Sequence, residues 1–312
     1  MLDGEEKMLN FDNIKEVQQY LQQQPWVLGA LIVVGVFFVY KIVMSMHEKK
    51  SPYGFERVAG MYELKKKIYQ DVIFPFYNAE RYKKFNLTLP NGIIFYGPTG
   101  CGKTFFVECL AEELNMNFIK VSHADLASPY VHESVAKIAE TFEHAKSVKP
   151  CIVFFDEIES LVPARAKLSA DITYKKEEVD EFLTHLNNAS KEGILVIGAT
   201  NHIDVIDPAV QRSGRFDLKI YVSPPDDDAR AELFYKALKE IPHDKEIDFS
   251  ELSRLTANYT SADIVNIVQS TARYAVVSDH KQISQKMLER SISEIPSSLD
   301  MSELEYNEYE TL

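Results

Sequence analysis

The stretch GPTGCGKT, Gly97 to Thr104, limits the folds open to this chain more than any other feature. It matches G-x-x-x-x-G-K-[ST], follows the apolar run GIIFYG and opens a stretch of helical period, Lys103 to Leu114. In a strand–loop–helix context such glycines let backbone N–H groups surround phosphate oxygens, and the helix N-terminus adds its dipole. The stretch predicts a nucleotide-phosphate site in which Lys103 reaches the β- and γ-phosphates and Thr104 binds Mg²⁺. The remaining residues of this predicted loop are Gly97, Pro98, Thr99, Gly100, Cys101 and Gly102.

Short apolar runs alternate with longer amphipathic stretches through the middle of the chain. Near-continuous apolar runs are typical of strands buried on both faces of a parallel sheet, and their alternation with helices predicts a three-layer α/β domain over residues 55–224. The strand pattern then stops, and residues 225–295 have the pattern of a small all-helical subdomain. The predicted strands are Gly92 to Gly97, Asn117 to Ser122, Cys151 to Asp156, Ile194 to Thr200 and Leu218 to Ser223.

Two carboxylates follow the apolar run CIVFF at the end of a predicted strand. In open α/β sheets, ligands bind at the carboxyl ends of the strands, so Asp156 and Glu157 are expected at the phosphate site. Asp156 is predicted to orient Mg²⁺, and Glu157 to polarise the attacking water. An acidic pair after a strand is a weak signal alone and becomes a strong one beside the phosphate loop.

Polar residues near the next strand extend this candidate site. Asn201 follows the run ILVIGAT, where its amide is placed to bond the γ-phosphate or the attacking water. Arg212 and Arg215 lie on a turn and are hard to place in the site of their own subunit. They suit arginine fingers that a neighbouring copy offers to the transferring phosphoryl group.

The run WVLGALIVVGVFFVY, Trp26 to Tyr40, carries no charge. A bilayer span needs ~20 apolar residues, and residues 25–46 supply them if Lys41 snorkels. Lysine and arginine follow the run, whereas acidic residues dominate before it, which predicts a single-pass membrane protein with its large C-terminal part in the cytosol. The remaining predicted segments are a polar arm (1–24), a charged linker (47–54) and an acidic tail (296–312).

Charge and cysteine content exclude some functions. A net charge of −13 argues against bulk nucleic-acid binding, so no nucleic-acid partner is expected. The cysteines Cys101, Cys109 and Cys151 have no metal-ligand spacing and form no even set, which indicates ordinary small apolar side chains in a reducing compartment.

From about Phe55 to Ile295, these motifs resemble those of the AAA ATPase family. FERVAGMYELKKKI resembles the family's adenine-pocket segment, which implies that Val58 and Ala59 lie beside the base. GATNHIDVIDPAVQRSGRFD resembles its second region of homology, with Asn201 as sensor and Arg212 and Arg215 as fingers. NYTSADIVNIV resembles its helical-lid segment. The resemblance implies an AAA P-loop fold with a helical lid, ATP and Mg²⁺ as ligands, and assembly into a homo-oligomeric ring, typically a hexamer.

The segment PYVHES is similar to the pore loop of AAA translocases. This similarity implies that Tyr130 and Val131 line a central channel and grip a polypeptide substrate by apolar packing. The layout of one span, a short linker and one motor resembles the tail-anchored-protein extractases of the mitochondrial outer membrane. The motor is also similar to that of membrane AAA proteases, although no H-E-x-x-H zinc motif follows it.

The sequence therefore predicts a membrane-anchored ATPase that extracts, unfolds or translocates protein substrates through a ring. Two alternatives stay open. One is an ATPase that remodels or disassembles a membrane-associated complex without threading. The other is a nucleotide-switched scaffold that turns over ATP negligibly.

Overall fold

The computed structural model describes residues 53–87, 89–126, 133–164, 173–212 and 214–299, all within the compact unit Pro52–Leu312. Three short helices precede the first strand, namely α1 (Tyr62–Ile68), α2 (Phe74–Tyr77) and α3 (Ala79–Lys84). A π-helical turn, Tyr69–Ile73, joins α1 to α2.

A parallel five-stranded sheet, ordered β2-β3-β4-β1-β5, forms the centre of the fold. Its strands are β1 (Gly92–Tyr96), β2 (Asn117–Val121), β3 (Cys151–Phe155), β4 (Ile194–Thr200) and β5 (Phe216–Tyr221). The helices between them are α4 (Lys103–Leu114), α5 (His123–Leu126), α6 (Glu133–Ser147) and α7 (Thr173–Leu186). The predicted α/β architecture is confirmed.

The sheet separates two hydrophobic cores, because β1, β3 and β4 are buried along their whole length. One core includes Phe142, Phe155 and Phe182, and the other includes Phe95 and Phe106. Full burial of such a side chain contributes about 1.5–3 kcal/mol, so these layers fix the strand ends at which the polar residues lie.

The part of the chain after β5 is helical as far as the structure describes it. It contains α8 (Asp227–Leu238), α9 (Phe249–Leu255), α10 (Ser261–Val277) and α11 (Gln285–Glu294), packed on a third core around Phe234 and Ile264. Thr260 begins α10 with a capping box, in which its hydroxyl accepts from the Asp263 N–H and the Asp263 carboxylate accepts from the Thr260 N–H. We call these four helices the lid.

Several predicted features lie outside the described residues, namely the polar arm over 1–24, the membrane span over 25–46, the pore-loop pair Tyr130 and Val131, and most of the linker over 47–54 and of the acidic tail over 296–312. The helices that the structure does describe include none with both the length and the apolar character needed to cross a bilayer.

Candidate nucleotide site

A cavity of about 740 Å³ lies between the carboxyl ends of the strands and the lid. Eight residues predicted from the sequence line it together, and they come from the phosphate loop, the end of β3 and the end of β4. They are Thr99, Gly100, Gly102, Lys103, Thr104, Asp156, Glu157 and Asn201. The fold thus brings together groups that lie up to about a hundred residues apart in the sequence.

The phosphate loop has the backbone that its glycines permit. Gly102 has φ +89° and begins α4, and no atom lies within 4 Å of where its Cβ would be. Gly97 has φ +139°, and a Cβ there would lie 2.4 Å from the Val222 carbonyl oxygen. Larger residues would therefore be strained at both positions and would clash at Gly97. The open space at Gly102 fits a phosphate group approaching the backbone closely.

Lys103 is held by oxygen atoms around its ammonium group. It donates to the carbonyl oxygens of Gly97 and Pro98, at 2.7 and 3.0 Å, and to Oδ1 of Asn201 at 2.7 Å. The side chain is only 8% exposed. A buried ammonium needs such partners, and phosphate oxygens of a nucleotide are of the same chemical kind as those that hold it here. The bond to Asn201 joins the phosphate loop directly to the end of β4.

Asp156 presents hard oxygen ligands at the end of β3. Its Oδ2 accepts from the Thr104 hydroxyl at 3.2 Å and lies 3.1 Å from the ammonium of Lys120. A carboxylate and a hydroxyl beside a phosphate site are the oxygen donors that Mg²⁺ prefers, together with water and the phosphates themselves. The donor set therefore fits Mg²⁺, and bound Mg²⁺ would supply charge neutralisation at the β- and γ-phosphates.

Glu157 occupies an uncommon backbone conformation. Its φ of 54° and ψ of 52° are left-handed, and it begins a short 3₁₀ turn over Ile158–Ser160. A non-glycine residue in this region costs of order 1–3 kcal/mol, and such strain clusters at functional sites. The turn ends β3 sharply, so Glu157 lines the cavity with an exposed side chain. This arrangement suits a carboxylate that accepts a proton from water.

The lid contacts the phosphate loop directly. The Ala262 N–H donates to the Gly100 carbonyl at 3.0 Å, and a Cβ on Gly100 would lie 2.8 Å from the Thr260 hydroxyl oxygen. The N-terminal turns of α10 thereby form one wall of the cavity. The residues of α10 that line the cavity are Ser261, Ala262, Val265, Asn266 and Gln269.

Val58 and Ala59 are buried, and the cavity walls formed by the described residues do not include them. The Val58 carbonyl accepts from the ammonium groups of Lys65, at 2.8 Å, and Lys236, at 3.0 Å. Their neighbour Arg57 lines the cavity instead. The placement of Val58 and Ala59 beside the base therefore remains a prediction.

Three further cavity residues, Arg57, Phe105 and Lys236, were not predicted from the sequence. The Arg57 guanidinium lies 5.0 Å from the centre of the Phe105 ring and also pairs with Glu112. Lys236 reaches the site from α8, far along the chain. Phe105 directly follows the predicted phosphate loop, and this neighbourhood is the only feature of the sequence that could have indicated Phe105 as a cavity residue.

The segment before α1 is bonded to the lid. The Gly60 N–H donates to Glu232 Oε2 at 2.7 Å, and Lys236 lies 2.9 Å from Glu232 Oε1. Burial lowers the pKa of Lys65, and the nearby ammonium of Lys236 acts in the same direction. Burial alone would raise the pKa of Glu232, but the bond from Gly60 and the charge of Lys236 lower it. The cluster therefore favours an ionised Glu232.

The two predicted arginine fingers lie outside this cavity. Arg215 donates to the Ala209 carbonyl at 2.6 Å and to Asn187 at 3.4 Å, whereas Arg212 is exposed. Neither lines the cavity formed by the described residues of the same chain. Their role as fingers for a neighbouring copy stays a prediction.

The sheet order, the phosphate loop and the convergence of Lys103, Thr104 and Asp156 define a P-loop nucleotide-binding α/β domain. Residues 93–224 match the model of the family "ATPase family associated with various cellular activities (AAA)". The match runs from β1 to just beyond β5 and supports an ATPase of the AAA family. AAA ATPases in general hydrolyse ATP and use Mg²⁺, in agreement with the donor set of the cavity.

Proposed function

We propose that this chain is a membrane-anchored AAA ATPase that works as a homo-oligomeric ring, a hexamer. ATP hydrolysis in the ring drives the extraction, unfolding or translocation of polypeptide substrates through a central pore. The observation that carries the proposal is the division of the catalytic groups. Lys103, Asp156 and Glu157 share one cavity, while Arg212 is exposed and outside it.

This division supports a ring because hydrolysis of this kind gains much of its rate from an arginine at the γ-phosphate. Such a finger contributes about 10³–10⁵ in rate when a neighbouring molecule supplies it. A second copy that presents Arg212 would complete the site. The membrane part of the proposal rests on the uncharged run Trp26 to Tyr40 and its flanking charges, which also favour a cytosolic ATPase domain.

The first test compares phosphate release by the wild type and Glu157→Gln. We expect the wild type to turn over ATP and the variant to lose about 10²–10⁴ of the rate, because the amide cannot accept the water proton. The matched control is Glu240→Gln, an exposed glutamate that follows α8. Equal, near-zero rates in wild type and Glu157→Gln would instead support the nucleotide-switched scaffold.

The second test concerns threading. We expect Tyr130→Ala to lose processing of a membrane-protein substrate in proteoliposomes, because the apolar grip on the polypeptide is removed. The control is Tyr235→Ala, which truncates a tyrosine that is 54% exposed on the lid. Full processing by Tyr130→Ala would contradict threading and favour remodelling without a pore grip. Trapping with Glu157→Gln in native membranes would then identify the substrates.

A further inference from the structure

Exposed aromatic side chains are concentrated before the first strand. Among the described residues, thirteen large hydrophobic side chains are exposed, and six of them fall between positions 53 and 87. Singly scattered apolar side chains are ordinary on a protein surface, whereas a contiguous group of them marks an interaction site. The six are Tyr53, Tyr62, Tyr69, Tyr77, Phe85 and Leu87.

The π-helical turn places one member of this group, Tyr69, against two half-buried aromatic residues, Phe74 and Tyr82. Tyr69 and Phe74 have ring centres 6.5 Å apart, and Phe74 and Tyr82 have ring centres 6.4 Å apart. In a regular α-helix, residues five positions apart point in different directions, whereas a π-helical turn aligns them. Tyr82 also bonds through its carbonyl to the N–H groups of Phe85 and Leu87, both exposed. The turn thus brings the rings of Tyr69, Phe74 and Tyr82 together, and the exposed Phe85 lies about one helical turn beyond Tyr82.

The same segment is basic in an acidic chain. Residues 62–87 contain six Lys and Arg and three Asp and Glu, so this segment has a net charge of +3. The whole chain has a net charge of −13, so all other residues together carry −16. Lys66 lies 3.8 Å from Glu63, a long contact at an exposed position. In the described part of the chain, Arg81 and Lys84 have no acidic group within ion-pair distance.

We propose that this basic aromatic surface, formed by Tyr69, Phe74, Tyr82 and Phe85 with Lys66, Arg81 and Lys84, binds the anionic surface of a lipid bilayer. Tyrosine rings sit favourably at the headgroup level, and lysine and arginine are attracted to anionic lipids. The combination of aromatic rings and exposed cations fits that partner better than an apolar protein groove.

Chain length supports the same partner. The proposal rests on the membrane anchor proposed above, which ends at Met46. Only six residues, 47–52, separate that anchor from Tyr53, and six residues reach at most about 20 Å. The start of the described chain is thereby held close to the headgroups, and the surface follows within the next few helical turns.

The test uses the full chain with a fluorescent probe on a cysteine introduced at Gln70, beside Tyr69. All three native cysteines are fully buried, so the introduced thiol is labelled selectively. Gln282→Cys supplies a matched control, because Gln282 is an exposed glutamine on the lid. The readout is quenching of the probe by spin-labelled lipids in vesicles of neutral phosphatidylcholine, with and without anionic phosphatidylglycerol.

We expect strong quenching at position 70 in anionic vesicles, weaker quenching in neutral vesicles and at 0.5 M salt, and little at position 282. Arg81→Gln combined with Lys84→Gln should weaken docking about 25-fold, since each cation near an anionic surface contributes about fivefold. Lys239→Gln with Lys281→Gln, the same charge change at exposed lid lysines, should leave it unchanged.

Equal quenching at both positions, or no dependence on anionic lipid, would overturn the proposal. If quenching is lost when the protein is diluted, the surface binds a second copy of the chain, and the proposal of lipid binding is also overturned. Carbonate extraction of the same vesicles reports on the anchor separately. If carbonate extracts the chain but the probe at position 70 is still quenched before extraction, the result would contradict the membrane anchor and support the lipid-binding surface.

Discussion

The ammonium of Lys120 lies 3.1 Å from the same Asp156 oxygen that accepts the hydroxyl of Thr104. The pairing follows from the sheet, because β2 lies beside β3 and the Asp156 N–H donates to the Val121 carbonyl at 3.1 Å. The same carboxylate oxygen thus contacts both Lys120 and Thr104, which is a predicted metal ligand. A cation bound at Asp156 must share the carboxylate with Lys120 or displace the Lys120 ammonium.

Removing this lysine is expected to strengthen cation binding at the site. Lys120→Ala should bind Mn²⁺, a substitute for Mg²⁺, roughly two- to fivefold more tightly in the presence of ADP, because an ion pair at a partly exposed site contributes up to ~1 kcal/mol. Electron paramagnetic resonance of the free Mn²⁺ measures this affinity. Lys219→Ala, at an exposed position of β5, is the matched control. Weaker Mn²⁺ binding by Lys120→Ala would show that the lysine supports the cation.

Completion of the site by a neighbour can be tested with two inactive variants. Arg212→Ala should lose about 10³–10⁵ of the phosphate-release rate, and Glu157→Gln about 10²–10⁴. When equal amounts are mixed, a chain with intact Glu157 meets a neighbour with intact Arg212 at about one interface in four, so activity should partly return. Arg212 is preferred to Arg215, which also bonds the Ala209 carbonyl and supports the local fold.

The control for this mixing experiment is Arg254→Ala, which changes an arginine that is 69% exposed on the lid. It should keep wild-type turnover alone and in mixtures. An Arg212→Ala variant that is fully active, or a mixture that stays inactive although mixed rings form, would contradict a finger acting between subunits.

The link between the segment before α1 and the lid depends on Gly60. Its φ is +54°, and a Cβ there would lie 2.4 Å from the Ala229 Cβ. Gly60→Ala should therefore lower the free energy of unfolding by about 2–4 kcal/mol, through both backbone strain and overpacking. Gly193→Ala separates the two causes, because Gly193 has φ +78° but its nearest atoms would lie 3.7 Å away. Chemical denaturation of both variants measures the difference, and equal losses would show that the contact with Ala229 contributes nothing.

The strands were predictable because their residues determine them locally. The predicted bounds for β1 to β4 agree with the structure to within one residue. Strands β1, β3 and β4 are interior and buried throughout, whereas β2 lies at one edge of the sheet and is only partly buried. The prediction for β5 was two residues late at each end, at Leu218 to Ser223 against the observed Phe216–Tyr221. The exposed residues Asp217 and Lys219 interrupt this strand, which weakens the apolar signal at its start.

The cavity was predictable only where a local motif names its residues. Lys103, Asp156 and Asn201 each follow a strand, and all strands of a parallel sheet end at the same edge. Arg57 and Lys236 come from distant segments that meet through tertiary packing, and Lys120 is paired with Asp156 because of a strand order that no local pattern reveals. Such residues need the fold before their role can be inferred.

The buried cysteines give the protein a characteristic response to alkaline pH. Burial raises the pKa of Cys109 and of Cys151 to about 11, from an ordinary value of 9.0. The folded state therefore keeps these thiols protonated up to about pH 11, whereas the unfolded state releases their protons near pH 9. Between these values the unfolded state binds fewer protons, so the free energy of unfolding should fall as pH rises.

The measurement compares the wild type with the double variant Cys109→Ala and Cys151→Ala by guanidinium denaturation at pH 8, 9, 10 and 11. Lysine and tyrosine side chains are common to both proteins, so the difference between the two curves reports the thiols together with Lys65, whose pKa the charge of Cys109 raises. We expect the double variant to be less stable at pH 8, because it loses packing volume, but to lose less stability than the wild type between pH 9 and 11. Parallel curves would mean that these thiols ionise alike in the folded and unfolded states.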